Sequence, residues 1–237
     1  MSRLLSRITI VLLFSCLSLL GSGANASAQE TTATPTSTPQ QQPAAPPALE
    51  EWGDTFDGNK LDETKWERFT FQGGSGGKVE LKDGQLRMRG ADETRAGVRS
   101  LQDFTGERFI VEATITKVGA QSDGKPGTAI LTVLFDGSER NRIEWLLTSE
   151  GIFEAWVMID GQGERFDNRK TGTKVSHPTI SIARKGDDYF FALNGQVGLQ
   201  KNIKNMPRSF RVMLYGFGSS ENNWDSVRVV TVKQAAK

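Results

Sequence analysis

A two-sheet antiparallel β-sandwich is the fold class this sequence predicts. Three observations support it. About fifteen short runs of alternating apolar and polar residues fill the chain from Trp52 to Val232, glycine-rich turns punctuate them, and no stretch carries apolar residues at helical period. The clearest run is Arg108 to Lys117, where Phe109, Val111, Ala113 and Ile115 share one face and Glu112, Thr114 and Thr116 share the other. Similar alternation marks residues 128–136, 142–147, 152–159, 179–184, 189–193, 209–215 and 225–232. Pro126, Pro178 and Pro207 each stand just before one of these runs, where a missing N–H costs no ladder hydrogen bond.

The N-terminus predicts export. Arg3 and Arg7 form a positive n-region, Ile8 to Leu20 an apolar stretch, and Ala26-Ser27-Ala28 a small-residue cleavage site. The apolar stretch is shorter than the roughly 20 residues a membrane span requires, so removal at Ala28 is expected and no transmembrane segment would remain. Cys16 follows Leu13-Phe14-Ser15, but Phe14 is bulky where lipidation favours a small residue. The product would be secreted, or held in the periplasm or cell envelope. Cys16 is the only cysteine, so the exported chain would hold no thiol nucleophile and no disulfide. With the single histidine His177, no zinc site built on two imidazoles is available.

Residues 29–48 are rich in Thr, Pro, Gln and Ala and carry five of the eight prolines. That composition cannot bury enough apolar surface to order itself, which predicts an extended tether ahead of a domain at 49–237. It serves equally as a spacer or as a plain disordered terminus. Lys and Arg total 29 and Asp and Glu 28; loss of Arg3 and Arg7 leaves 27 cations. Such a balance offers no electrostatic footprint for nucleic acid or an anionic membrane.

Turn chemistry sets the pairing of the middle strands. Asn194-Gly195 fits a two-residue type I′ hairpin, and Gly151 fits the left-handed position of the turn after Leu147. The second turn pairs Thr148 with Ile152, hence Glu144 with Trp156, Leu146 with Glu154 and Arg142 with Met158. A loop at Gly137-Ser138-Glu139 then sets Thr132 opposite Glu144 and Leu134 opposite Arg142. Leu131, Val133, Ile143, Trp145, Leu147, Phe153, Ala155 and Val157 fall on the core side. The other side would expose Thr132, Leu134, Arg142, Glu144, Glu154, Trp156 and Met158. Trp52, Trp66 and Trp145 are expected to pack inside, and His177 to lie at the surface.

Four segments together resemble the concanavalin A-like lectin/glucanase superfamily, in its laminin-G-like jelly-roll branches: DTFDGNKLDETKW (54–66), KDGQLRMR (82–89), ISIARKGDDYFFALNGQ (180–196) and WDSVRVVTV (224–232). The resemblance spans nearly all of residues 50–233 and implies that the first and last strands lie side by side. Glucanases of that superfamily carry an acidic E-x-D-x-(x)-E strand with its carboxylates on one face. Here Glu112 stands alone on its strand and Asp187-Asp188 are adjacent, so glucanase activity does not carry over and no catalytic residue is assigned. Members that cleave 3-keto-sugars offer no residue-by-residue match. Lectin-type members bind glycans on a concave sheet face, often against an aromatic ring. The resemblance therefore implies glycan binding through Trp156, with Arg142, Glu144, Glu154 and Thr132 beside it.

Alternatives stand beside each assignment. Trp156 either stacks on sugar or lies under a crossing loop formed by residues 161–173. Glu144 and Glu154, diagonal neighbours at roughly 7–8 Å between α-carbons, form either a surface ion-pair network with Arg142 or a hydrolytic pair. Asp54, Asp57 and Asp225 either cap turns or hold a structural calcium of the kind superfamily members carry. The function classes are thus a glycan-binding module, a glycoside hydrolase or 3-keto-sugar-cleaving enzyme, or an interaction module of the envelope.

Overall fold

A computed structural model describes residues 48–71, 77–91, 95–170 and 176–232. The expected leader, Cys16 and the expected tether up to residue 47 lie outside these described residues. Sixteen strands run through them in chain order, with no helix among the described residues. They are β1 (Leu49–Asp54), β2 (Trp66–Phe71), β3 (Lys78–Lys82), β4 (Gln85–Arg89), β5 (Arg95–Ser100) and β6 (Phe104–Thr105). Next come β7 (Arg108–Val118), β8 (Thr128–Phe135), β9 (Arg142–Thr148), β10 (Ile152–Ile159) and β11 (Gln162–Lys170). The last five are β12 (Thr179–Lys185), β13 (Asp188–Leu193), β14 (Gln196–Asn202), β15 (Ser209–Phe217) and β16 (Glu221–Val232).

Two antiparallel sheets result. The first runs β14-β13-β12-β7-β16-β4-β3, with β1 also on β16; the second runs β11-β10-β9-β8-β15-β5-β2, with β6 on β15. Non-consecutive neighbours such as β7-β16 and β8-β15 are the crossovers of a jelly roll. The first and last strands do pair, from Leu49 opposite Val232 to Asp54 opposite Val227.

Alternation explains the core. The inward residues of β7 meet those of β8 and β15 between the sheets, with Phe109 and Phe210 ring centroids 4.2 Å apart. Trp145 spans the layers, its ring 5.5 Å from Phe191 and its Nε1 donating to the Ala192 carbonyl at 3.1 Å. Trp66 and Trp145 are buried, and Trp52 packs part-buried against the same core. His177 is exposed.

The expected turns form. Asn194 and Gly195 have φ of 49° and 76°, the positive pair a type I′ turn needs, and Gly151 sits at 76°. The turn after β8 is wider than the sequence predicts, because the Phe135 N–H still bonds to the Asn141 carbonyl. The centre of the turn is unchanged, so the register holds: Thr132 faces Glu144 and Leu134 faces Arg142.

A correction concerns residues 161–173. The segment expected to cross over Trp156 as a loop is in fact largely β11, hydrogen-bonded along β10 as the edge of the second sheet. Its sequence, QGERFDNRK, lacks apolar alternation, and its residues 162–165 are exposed, as an edge strand allows. Residues 171–173 lie outside the described set.

Candidate functional site

The outer face of the second sheet is best followed row by row across the strands. One row reads Glu67, Arg99, Met213, Thr132, Glu144, Trp156 and Arg165, each directly opposite the next. At about 4.8 Å per strand it spans roughly 29 Å. A neighbouring row runs Phe69, Gly97, Tyr215, Ile130, Leu146 and Glu154. Trp156, Arg142, Glu144, Glu154 and Thr132 therefore share one face, in the pairing the turns imply.

They do not share one degree of exposure. Thr132 and Leu134 are fully buried and Glu144 is only 5% exposed, whereas Glu154, Trp156 and Met158 are part-exposed. The physical reason is a second apolar cluster outside the main core: Ile130, Leu134, Leu146, Met213 and Tyr215, with Phe69 and Trp156 against it. Gly97 makes this possible. A Cβ there would sit 2.5 Å from the Tyr215 Cβ, so its absence lets Phe69 and Tyr215 meet edge to face at 5.8 Å. The middle of the face is filled, and the open part lies over β10 and β11.

Buried charge needs partners, and Glu144 has two. Its Oε1 accepts from Arg142 Nε at 2.5 Å and from the Tyr215 hydroxyl at 2.5 Å. Arg142 also donates to the Glu139 carbonyl and to Met158 Sδ. Burial works against the Arg142 charge, but the Glu144 carboxylate outweighs it and holds that guanidinium above its ordinary pKa. Burial, reinforced by the same carboxylate, pushes the Tyr215 hydroxyl well above its usual value, so it remains a donor. Thr132 Oγ1 has no hydrogen-bond partner among the described residues.

Nearer the edge, Trp156 Nε1 donates to Glu154 Oε2 at 3.3 Å, and Arg165 Nη1 stands 3.7 Å from Glu154 Oε1. Towards the far edge, Arg99 pairs with Glu67 at 2.7 Å and Arg211 with Asp103 at 2.7 Å. Hydrogen bonds from those arginines hold the Glu67 and Asp103 carboxyls below their ordinary values. Carboxylates lowered on folding contribute stability above their unfolded pKa and lose it as pH falls through the lower folded one. The urea midpoint should therefore be level between pH 7 and pH 5.5 and fall once pH drops below 4.5 and 3.8, the ordinary Glu and Asp values. The pairs are partly solvated and the loss modest. A midpoint that rises on acidification contradicts the assignment.

Of the residues on this face absent from the sequence-derived set, Tyr215 and Arg165 touch its charged groups. Tyr215 was legible: in SFRVMLY, Phe210, Val212 and Leu214 point inward, which sets Arg211, Met213 and Tyr215 outward together. Arg165 was not, because its stretch carries no strand signal.

Of the aspartates weighed as turn caps or calcium ligands, Asp54 caps a turn. Asp54 accepts from the Phe56 N–H and from Trp66 Nε1, both at 2.9 Å, an Asx turn joined to a tryptophan clasp. Among the described residues no three acidic or imidazole side chains cluster. A cleft of about 490 Å³ opens elsewhere, where Trp52 and Phe104 meet the rim residues Glu51 and Asp103. Both rim carboxylates already grip arginines, Arg228 and Arg211.

Sheet order, crossovers and the inner core define a two-sheet antiparallel jelly roll. Solved structures of that fold match the chain. A Bacillus licheniformis β-glucanase aligns at TM-score 0.60 and 12% identity, covering 78% of this chain and 98% of its own. A non-specific endo-β-1,3(4)-glucanase of family GH16 gives 0.61 and 14%, covering 80% and 94%. The catalytic domain of a Thermotoga petrophila endo-1,3-β-glucanase gives 0.60 and 13%, covering 79% and 100%. At these identities the likeness is one of fold. No protein-family model and no curated protein sequence matches the chain. No helix among the described residues is long and apolar enough to cross a membrane.

Proposed function

We propose that this chain is an exported, non-catalytic carbohydrate-binding β-sandwich of the laminin-G-like kind. Its ligand is a glycan held on the outer face of the second sheet. The observation that carries this reading is the part-exposed Trp156, an apolar platform with Glu154 and Arg165 at its edge and an apolar cluster behind it. An indole flanked by a few polar groups suits a pyranose, which offers an apolar face and a rim of hydroxyls. Glu144 lies opposite Trp156 on the next strand, Thr132 opposite Glu144 beyond it, and Arg142 bonds to Glu144. Glycan arrays with wild type and Trp156→Ala test the reading. The substitution should weaken binding by about 2 kcal/mol or more, roughly thirtyfold. Equal retention by the two proteins removes the tryptophan from the site.

A hydrolase is the second reading, favoured by the glucanase names of the solved neighbours and by Glu144 and Glu154 lying diagonally on one face. Against it, each carboxylate already faces a guanidinium, and Glu144 is buried with Arg142 and the Tyr215 hydroxyl as its partners. New reducing ends from β-glucans, or cleavage of 3-keto-glucosides, abolished by Glu154→Gln, would establish catalysis. Absence of both binding and cleavage would favour the envelope interaction module.

A further inference from the structure

The strand pairing beside Trp156 contains a bulge. Ala155 faces Asp167, but Trp156 faces Arg165, so Phe166 is the extra residue. In unbroken register Phe166 would lie opposite the indole. Instead Phe166 packs against the main core, 5.4 Å from the Phe191 ring, and Arg165 reaches the outer face beside Trp156. Bulges re-aim side chains in this way. Arg165 keeps its side chain 51% exposed, and its 3.7 Å approach to Glu154 is longer than a hydrogen bond.

Charge is matched among the described side chains beside the indole, where Arg142 pairs with Glu144 and Arg165 with Glu154. Farther across the sheet Arg99 pairs with Glu67 and Arg211 with Asp103, while Arg95 lies over the Tyr215 and Phe217 rings. Neither pair beside Trp156 offers a uronate or a sulfate ester an uncompensated cation. The loosest pair offers a planar donor fork and a carboxylate acceptor side by side at the edge of an indole, the complement of two neighbouring hydroxyls.

Building on the glycan-binding reading, we infer that the ligand is a neutral saccharide. It is gripped over Trp156 at two adjacent hydroxyls by Glu154 and Arg165, and the bulge at Phe166 makes Arg165 the specificity-determining residue.

The test uses the exported chain with four probes: laminarin and a neutral galactan, polygalacturonate and a sulfated galactan. Affinities are measured at 20 and 500 mM NaCl for wild type, Trp156→Ala, Arg165→Gln and Arg165→Lys, with melting curves confirming folding. Wild type should bind a neutral probe most tightly, with less than about a twofold change in Kd between the two salts. Arg165→Gln should weaken that binding about tenfold or more. Arg165→Lys should restore little, since a point ammonium lacks the fork. Preference for either anionic polymer with steep salt dependence would overturn the inference, and the two anionic probes tell carboxylate from sulfate. Loss of neutral binding in Trp156→Ala with none in Arg165→Gln would also overturn it, while leaving the glycan site standing. No binding of any probe by wild type would reject both.

Discussion

Glu144→Leu should destabilise the fold by about 3–5 kcal/mol, read as a fall in the urea midpoint at pH 7. The carboxylate is the common acceptor for Arg142 and Tyr215 in a nearly closed site, so its removal strands a buried guanidinium and a buried hydroxyl. The attraction between the partners is only part of this cost; the larger part is a cation left without compensation. A double-mutant comparison separates the two. Arg142→Met combined with Glu144→Leu should recover most of the loss, because Leu134, Leu146 and Met158 already line the spot. Adding Tyr215→Phe should recover a further 1–3 kcal/mol, roughly the penalty of the orphaned hydroxyl. A single Glu144→Leu variant within about 0.5 kcal/mol of wild type would mean that water reaches this network, and that the face is open where it is described as filled.

Arg184→Met should cost a comparable amount, about 3–5 kcal/mol, through a different mechanism. Arg184 is 4% exposed and donates to three backbone carbonyls, those of Gly186, Met206 and Pro207. Its guanidinium also lies over the Tyr189 and Phe135 rings, 5.3 and 5.8 Å from their centroids. One side chain thus satisfies carbonyls of two connections, the β12–β13 turn and the segment between β14 and β15. Methionine matches the volume and none of the donors. Arg184→Lys should recover little, since three divergent acceptors need the fork. Amide exchange should report the loss locally first, with faster exchange at Ile203, whose N–H bonds to the Asp187 carbonyl, before the core strands respond. Unchanged stability in Arg184→Met would show that solvent satisfies those carbonyls.

Much of the fold was legible because its signals are local. Alternation in residues 108–117 put Phe109, Val111, Ala113 and Ile115 into the core, and the turns at Gly151 and 137–139 determined which residues of β8, β9 and β10 face each other. Register has a period of two, so a correct turn places every side chain on a strand. The edge strand was illegible for the same reason in reverse. Residues 162–165 are exposed, the stretch to Lys170 carries no alternation, and it becomes a strand because β10 supplies hydrogen-bond partners. Exposure was also out of reach. That Thr132 and Glu144 lie with Trp156 follows from register; that they are buried follows from Tyr215 and Phe69, which reach the same spot from β15 and β2.

The sequence by itself determined an all-β chain, its inward and outward residues, and a tryptophan sharing its side of the sheet with two glutamates and an arginine. Only the tertiary structure decided how much of that side water can reach, and that Arg165 completes it. Neighbour relations along a strand are set by covalent spacing and turn geometry. Neighbours several strands away, and a one-residue bulge that turns Phe166 inward, depend on the assembled sheets.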